Sequence, residues 1–355
     1  MPKITLVGLG GTIESVSRAG SEGVAPSSDD SGLQALVATA RAGIVAQFEV
    51  VARRIAAKES GALSLTDILS LHETLVEEQR AGAAGLVVTT GTDTLEEVAF
   101  ILDLLWDDAC PLVVTGSMRQ PQGVGSDAPA NIRAALLVAG SDEARAKGCL
   151  VVLNGEIHHA WQVRKSHTSS LAAFRSMASG PAGEVVEDRV RLTSAPIARP
   201  LISRPTYAPA IALVKASLGD DGRMLGTLAA LGYEGLVVEC LGGGSVPPDW
   251  VPYLKTLAAN MPVVYSTRTG AGPTLAATYS GVGSEISLQL AGLVPAGLLD
   301  GVHARILMCL LVASGCSEPH LVEAFQLFDL PGIERDRIRI PNATAEASQA
   351  VAEAL

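Results

Sequence analysis

The chain has 355 residues, 48% of them hydrophobic but only 4% aromatic, and a formal net charge of −11. That length suits two domains with cores of Ala, Val, Leu and Ile, and the acidic balance argues against nucleic acid or anionic lipid as partners. No stretch reaches the roughly 18 uninterrupted apolar residues of a membrane span, and the opening apolar run is too short for a signal segment, so a cytoplasmic protein is expected.

In chain order, short β-branched runs alternate with helical patterns. The strand candidates are Ile4–Val7, Phe48–Ala52, Leu86–Thr89, Leu112–Thr115 and Leu150–Leu153, with amphipathic stretches at Leu63–Gln79 and Leu95–Leu105 between them. This alternation predicts a doubly wound parallel sheet, whose ligand crevice lies beyond the carboxyl ends of its strands. From 191 to 209 the sequence carries Pro196, Pro200, Pro205 and Pro209 and reads as an extended linker. A second alternation follows, with strands Ala210–Val214, Leu236–Cys240 and Val263–Ser266 and helices Asp249–Ala259 and Gly301–Gly315. The expected organisation is an N-terminal α/β domain over 1–190, a linker, and a smaller α/β domain over 210–355. The tail after Pro331 reads as a terminal helix or a frayed end. Cys110, Cys149, Cys240, Cys309 and Cys316 form no CxxC pair and read as small buried hydrophobes in a reducing compartment.

Two clusters follow predicted strands. The first is Gly8-Leu9-Gly10-Gly11-Thr12-Ile13. Ile13 stands where a dinucleotide fingerprint needs its third Gly, which disfavours an NAD-dependent oxidoreductase. The glycines allow a tight turn with backbone N–H groups facing the crevice, and a hydroxyl among such donors offers a nucleophile beside an oxyanion site. Thr12 read alone is more commonly a helix-capping residue. The second cluster is Thr89-Thr90-Gly91-Thr92-Asp93-Thr94-Leu95-Glu96-Glu97. It is either a polar site at a strand end or a capped helix start, with Asp93 and Glu96 at capping-box spacing.

Taken together, the two clusters resemble the bacterial-type asparaginase and glutaminase family. Val114-Thr115-Gly116-Ser117-Met118-Arg119, Ser126-Asp127-Ala128-Pro129-Ala130-Asn131, and the stretch from Val151–Asn154 through Lys165, His167 and Thr168 to Phe174 follow in matching order. The resemblance covers most of residues 1–180 and continues more loosely beyond. It implies a flavodoxin-like parallel-sheet N-terminal domain plus a smaller α/β C-terminal domain, in homo-oligomers that are usually tetramers. It also implies hydrolysis of a side-chain amide, releasing ammonia from asparagine or a related small amide through an acyl-threonine, with no metal or cofactor. Position by position, Thr12 is then the nucleophile, and Thr92 and Asp93 belong to a second catalytic group. Gly11, Ser60, Gly91 and Ser117 are the expected substrate-binding positions.

The chain departs from the family pattern in three places. Counting back from Gly148, the family's catalytic Lys falls on Asp142, and an anion in place of that cation would raise the proton affinity of the threonine it faces. Lys165 is kept as a substitute. Residues 14–35, a Gly- and Ser-rich stretch suited to a lid, hold no Tyr to assist the nucleophile, leaving Glu14, Ser15 and Glu22 as local stand-ins and Glu285 of the second domain as one that would reach a neighbouring subunit's site. Gly242-Gly243-Gly244 occupies a turn where the family has Asn. The expectation is a shifted substrate with weak asparagine turnover. A non-catalytic small-molecule binder on the same scaffold is the rival reading. His158, His159 and His167 fit no zinc spacing.

Overall fold

The computed structural model describes residues 1–17, 24–26, 31–40, 48–194, 199–329 and 338–340, in two compact units, Met1–Pro196 and Ile197–Leu355. The first unit opens with β1 (Lys3–Gly8), a short antiparallel ribbon of β2 (Ser15–Ser17) and β3 (Val24–Pro26), and helix α1 (Ser31–Ala40). It continues through β4 (Glu49–Arg54), α2 (Leu65–Arg80), β5 (Ala83–Thr89), α3 (Leu95–Leu105), β6 (Leu112–Thr115), α4 (Ala128–Ala139) and β7 (Cys149–Leu153). Five strands are parallel in the order β4-β1-β5-β6-β7. This is the flavodoxin-like order, in which the chain reverses direction between β1 and β5 and opens a crevice at their carboxyl ends.

Burial explains why these residues make these elements. β7 is buried throughout and β5 nearly so, as strands covered on both faces must be. At the edge, β4 alternates exposed and half-buried residues with period two. α1 and α4 pack with Ile4, Leu6, Val87, Val113 and Val152 on one face of the sheet. α2 and α3 pack together, and they meet β5 and β7 respectively. On α2 the buried residues Ile68, Leu71 and Leu75 recur at helical spacing, whereas α3 is buried nearly all round.

The sheet is longer than the doubly wound pattern predicts. β8 (Glu156–His159) turns back antiparallel on β7, and β11 (Gly183–Val186) and β12 (Arg189–Leu192) extend that edge to eight strands. The excursion between β8 and β11 is a hairpin of β9 (Val163–Lys165) and β10 (Phe174–Ser176). Antiparallel strands need only short turns, so the sequence from 154 to 192 lacks the helical pattern that marks a parallel crossover.

The second unit begins inside the predicted linker, where β13 (Pro200–Ile202) pairs in parallel with β18 (Ile338–Ile340). Pro200 opens its strand, a position where proline is tolerated. Residues 195–198 of that linker lie outside the described residues. The unit's own sheet is wholly parallel: β14 (Ile211–Lys215), β15 (Gly235–Cys240), β16 (Val263–Thr267) and β17 (Val294–Pro295). It carries α5 (Val251–Ala258), α6 (Glu285–Leu290), α7 (Gly301–Ser314) and α8 (Glu318–Gln326). Trp250 and Tyr265 are the largest side chains in its core. Apart from β18, the predicted terminal helix or frayed end lies outside the described residues. Among the described residues no helix is long and apolar enough to cross a membrane. Cys110, Cys149 and Cys240 are buried, and Cys309 and Cys316 half-buried; desolvation raises the Cys110 thiol to about 11, so it stays protonated.

Candidate active site

The two glycine-containing turns meet at the carboxyl edge of β1 and β5. Leu9 N–H donates to Thr89 O at 2.9 Å and Lys58 N–H donates to Leu9 O at 3.0 Å, which binds the turn after β1 to those after β5 and β4. Gly11 has φ 84°, a left-handed backbone that favours glycine. A Cβ there would stand 2.3 Å from both Gly91 Cα and Gly91 N. A Cβ on Gly91 would in turn lie 2.7 Å from Ser60 Cβ. Of the four positions expected to bind substrate, Gly91 therefore packs against two others, Gly11 and Ser60. Thr12 follows as the first residue of a single 3-10 turn, Thr12–Glu14, for which Gly11 is the N-cap. The capping role that Thr12 could have filled is not the one it has. Thr12 is half-buried, and among the described residues no partner holds its hydroxyl.

Capping fails for the second cluster too. Thr94 is the N-cap of α3 but makes no side-chain cap bond; its hydroxyl donates to Ser60 O at 3.1 Å. Asp93 faces a cation instead. Lys165 Nζ donates to Asp93 Oδ1 at 2.7 Å and to Thr92 Oγ1 at 2.9 Å. The hydrogen bond from Lys165 holds the Asp93 carboxyl below the usual range, and Ser60 adds a second, smaller lowering. Thr92 is buried whereas the Asp93 side chain is 74% exposed, so the carboxylate stands at the rim and the hydroxyl beneath it. An open depression of about 450 Å³ adjoins them, lined by Asp93, Glu96, Lys165, Ser166, His167 and Thr168.

Lys165 corrects the count that put Asp142 in the place of a catalytic lysine. Asp142 is exposed on a 3-10 turn ahead of β7, at the amino end of the parallel strands and opposite the crevice. Lys165 ends β9, and its own N–H donates to Glu96 Oε2 at 2.7 Å, which fastens the hairpin to the first turn of α3. The count failed because an antiparallel excursion, not another crossover, delivers the lysine. The signal was present as a Lys followed by the polar run Ser166-His167-Thr168.

The remaining expected residues divide. Ser117 is fully buried after β6, and its hydroxyl donates to Arg119 O at 2.7 Å, so it shapes the loop at the crevice edge. Asp127 holds that loop by accepting from Met118 N–H and Arg119 N–H, both at 2.9 Å. Glu14 and Ser15 do not polarise Thr12. Glu14 points into the sheet edge, and Ser15 Oγ donates to the Thr12 carbonyl at 2.7 Å. Glu22 lies outside the described residues, as do residues 18–23 and 27–30 of the predicted lid. Glu285, in the second unit, accepts from Thr278 N–H and Tyr279 N–H within its own turn. Among the described residues no His, Cys, Asp or Glu cluster could hold a metal ion.

Sequence comparison agrees with this geometry over both units. The family model for the asparaginase N-terminal domain matches residues 3–198, and that for the glutaminase/asparaginase C-terminal domain matches 210–325. An L-asparaginase of Bacillus licheniformis is 35% identical over 254 residues, 71% of this chain and 79% of its own length. A probable L-asparaginase of Deinococcus radiodurans is 37% identical over 256 residues, 71% of this chain and 78% of its own. A glutamyl-tRNA(Gln) amidotransferase subunit of Methanosarcina barkeri is 34% identical over 284 residues, 76% of this chain and 65% of its own. The crystal structure of a probable cytoplasmic L-asparaginase from Campylobacter jejuni superposes with a TM-score of 0.81 at 27% identity, over 92% of this chain and 100% of the other. With both of its units matched, the chain belongs to the asparaginase family of amidohydrolases.

Proposed function

We propose that the protein hydrolyses the side-chain amide of asparagine, or a closely related small amide, through an acyl-Thr12 intermediate. The observation that carries this is the bridging of Thr92 and Asp93 by Lys165 in the loop that packs on the Thr12 turn. Thr12 Oγ forms a bond to the amide carbon, the C–N bond breaks, and the nitrogen leaves with a proton as ammonia. Water then cleaves the ester, giving the acid and restoring Thr12. Because Lys165 donates to Thr92 Oγ1, the Thr92 hydroxyl proton is directed away from it, and a hydroxyl that accepts from an amine gives up its proton more easily. Thr92, Lys165 and Asp93 thus form the second catalytic group, which moves the proton between nucleophile and leaving nitrogen. Asp93, exposed and anionic, is placed to meet a substrate ammonium, and Ser60 and the Gly11 and Gly91 backbones line the same contact.

The expectation of a shifted substrate rested on three departures, and Lys165 supplies the cation that one of them lacked. Asparagine is therefore the leading substrate, in keeping with the names of the Bacillus and Deinococcus relatives. Ammonia release from asparagine, glutamine and a panel of small amides tests the reading. Thr12→Ala is expected to lower kcat at least about 10³-fold. Intact-mass measurement during turnover of a slow amide should show one acyl adduct, absent in Thr12→Ala. Binding of asparagine with neither turnover nor adduct would make the protein a binder. Assembly as a homo-oligomer in the cytoplasm is part of the same proposal, and native mass measurement checks the oligomer.

A further inference from the structure

A carboxylate lies buried beneath the turn that carries the nucleophile. Glu14 is 2% exposed and stands two residues after Thr12 on the same 3-10 turn. Its Oε1 accepts from the Thr89 hydroxyl at 2.7 Å and from Gly10 N–H at 3.3 Å, and its Oε2 accepts from Arg54 Nε at 2.8 Å. One side chain therefore ties the carboxyl ends of β1, β4 and β5 together. The Arg54 side chain is only 7% exposed, so both charges are withdrawn from water and neither tolerates loss of the other. Gly8 shows the same constraint from the opposite side: a Cβ there would lie 2.5 Å from Glu14 Oε1.

We propose that Glu14 is a positioning residue for Thr12. Its oxygens are committed to Thr89, Gly10 and Arg54, so it does not serve as a base for Thr12. Instead it turns the Gly10 N–H inward and fixes the peptide from which the Gly11–Thr12 segment departs. The nucleophile's direction of attack then follows from a buried ion pair under the turn. The proposal rests on Thr12 being the nucleophile.

Three variants of the full chain test it. Replacing both charges together, as Glu14→Met with Arg54→Met, removes the acceptor without stranding a charge, and such exchanges commonly preserve stability. Its thermal midpoint should stay near that of the parent, while kcat for asparagine falls about 10-fold to 10²-fold and KM moves less than about threefold. Glu14→Gln with Arg54→Met keeps an acceptor for Gly10 and Thr89 and should restore most of kcat. Gly8→Ala displaces the carboxylate without altering any charge and should lower kcat in the same way. A folded double-Met variant with unchanged kcat overturns the proposal. If that variant does not fold, unchanged kcat in Gly8→Ala overturns it equally. Turnover surviving in Thr12→Ala would instead remove the reading on which the proposal stands.

Discussion

Lys165 and Gly11 decide what the crevice can do. Lys165→Met removes the donor to both Thr92 and Asp93 at nearly constant bulk. Its kcat for asparagine should fall at least about 10²-fold, as for loss of a positioned proton-transfer group, while circular dichroism stays that of the parent. Gly11→Ala acts by steric means. Its methyl would fall 2.3 Å from Gly91 and would force an L side chain to adopt φ 84°. Backbone cannot yield as a flexible side chain can, so the two turns must separate and turnover should be lost. Retained activity in purified Gly11→Ala would show that these turns need not touch. Residue type alone singled out Thr12, Gly11, Gly91, Thr92 and Asp93 because hydroxyls, a carboxylate and glycines clustered after strands, whereas Ser60 came only from the family resemblance. It gave no means of choosing capping over chemistry for Thr12 and Asp93, because both uses draw on the same side-chain oxygen.

Among the elements, α2 shows how local sequence holds a site loop in place. Ser64 caps it in a capping box, with Asp67 accepting from Ser64 N–H at 2.8 Å and Ser64 Oγ from Asp67 N–H at 3.3 Å. Lys58, from the loop that carries Ser60, donates to Asp67 at 2.7 Å. That bond first, and then those with Ser64, lower the Asp67 carboxyl to about 2 from 3.8. A depressed carboxyl stabilises the fold fully above its unfolded value and loses this as pH falls toward the folded value. The contribution of Asp67 should therefore disappear between about pH 4 and pH 2. Ser64→Ala should cost about 1 kcal/mol of stability in urea unfolding at neutral pH, and a cost below a few tenths would show the cap to be idle. The hairpin of β9 and β10 is the opposite case. Its three-residue strands carry too little pattern to be read from the sequence, yet they deliver Lys165.

For the whole molecule, a pH effect below neutrality should come from the sheet extension. His158 is fully buried on β8, with Nδ1 2.9 Å from Ser176 Oγ. Desolvation, with a smaller contribution from His159, lowers its pKa to about 4 from 6.5. It is therefore neutral at pH 7, and its 3.5 Å approach to Glu156 is not an ion pair there. The unfolded chain takes up a proton near pH 6.5 and the folded chain only near pH 4, so stability declines across that window as pH falls. The decline attributable to this residue approaches about 3 kcal/mol. Stability measured from pH 7 to pH 4 should flatten in His158→Gln, and an unchanged slope would place the effect elsewhere. By itself the sequence determined the parallel core, the strand ends and the hydroxyl clusters, because periodicity, burial and turn chemistry act over a few residues at a time. Only the tertiary structure decided that Lys165 lies on Thr92 and Asp93, that Glu14 ties Gly10 to Thr89 and Arg54 beneath the Thr12 turn, and that Asp142 lies at the opposite end of the sheet. Those pairings span up to about seventy residues of chain, and the energy that selects them arises only once the sheet has brought its strand ends together.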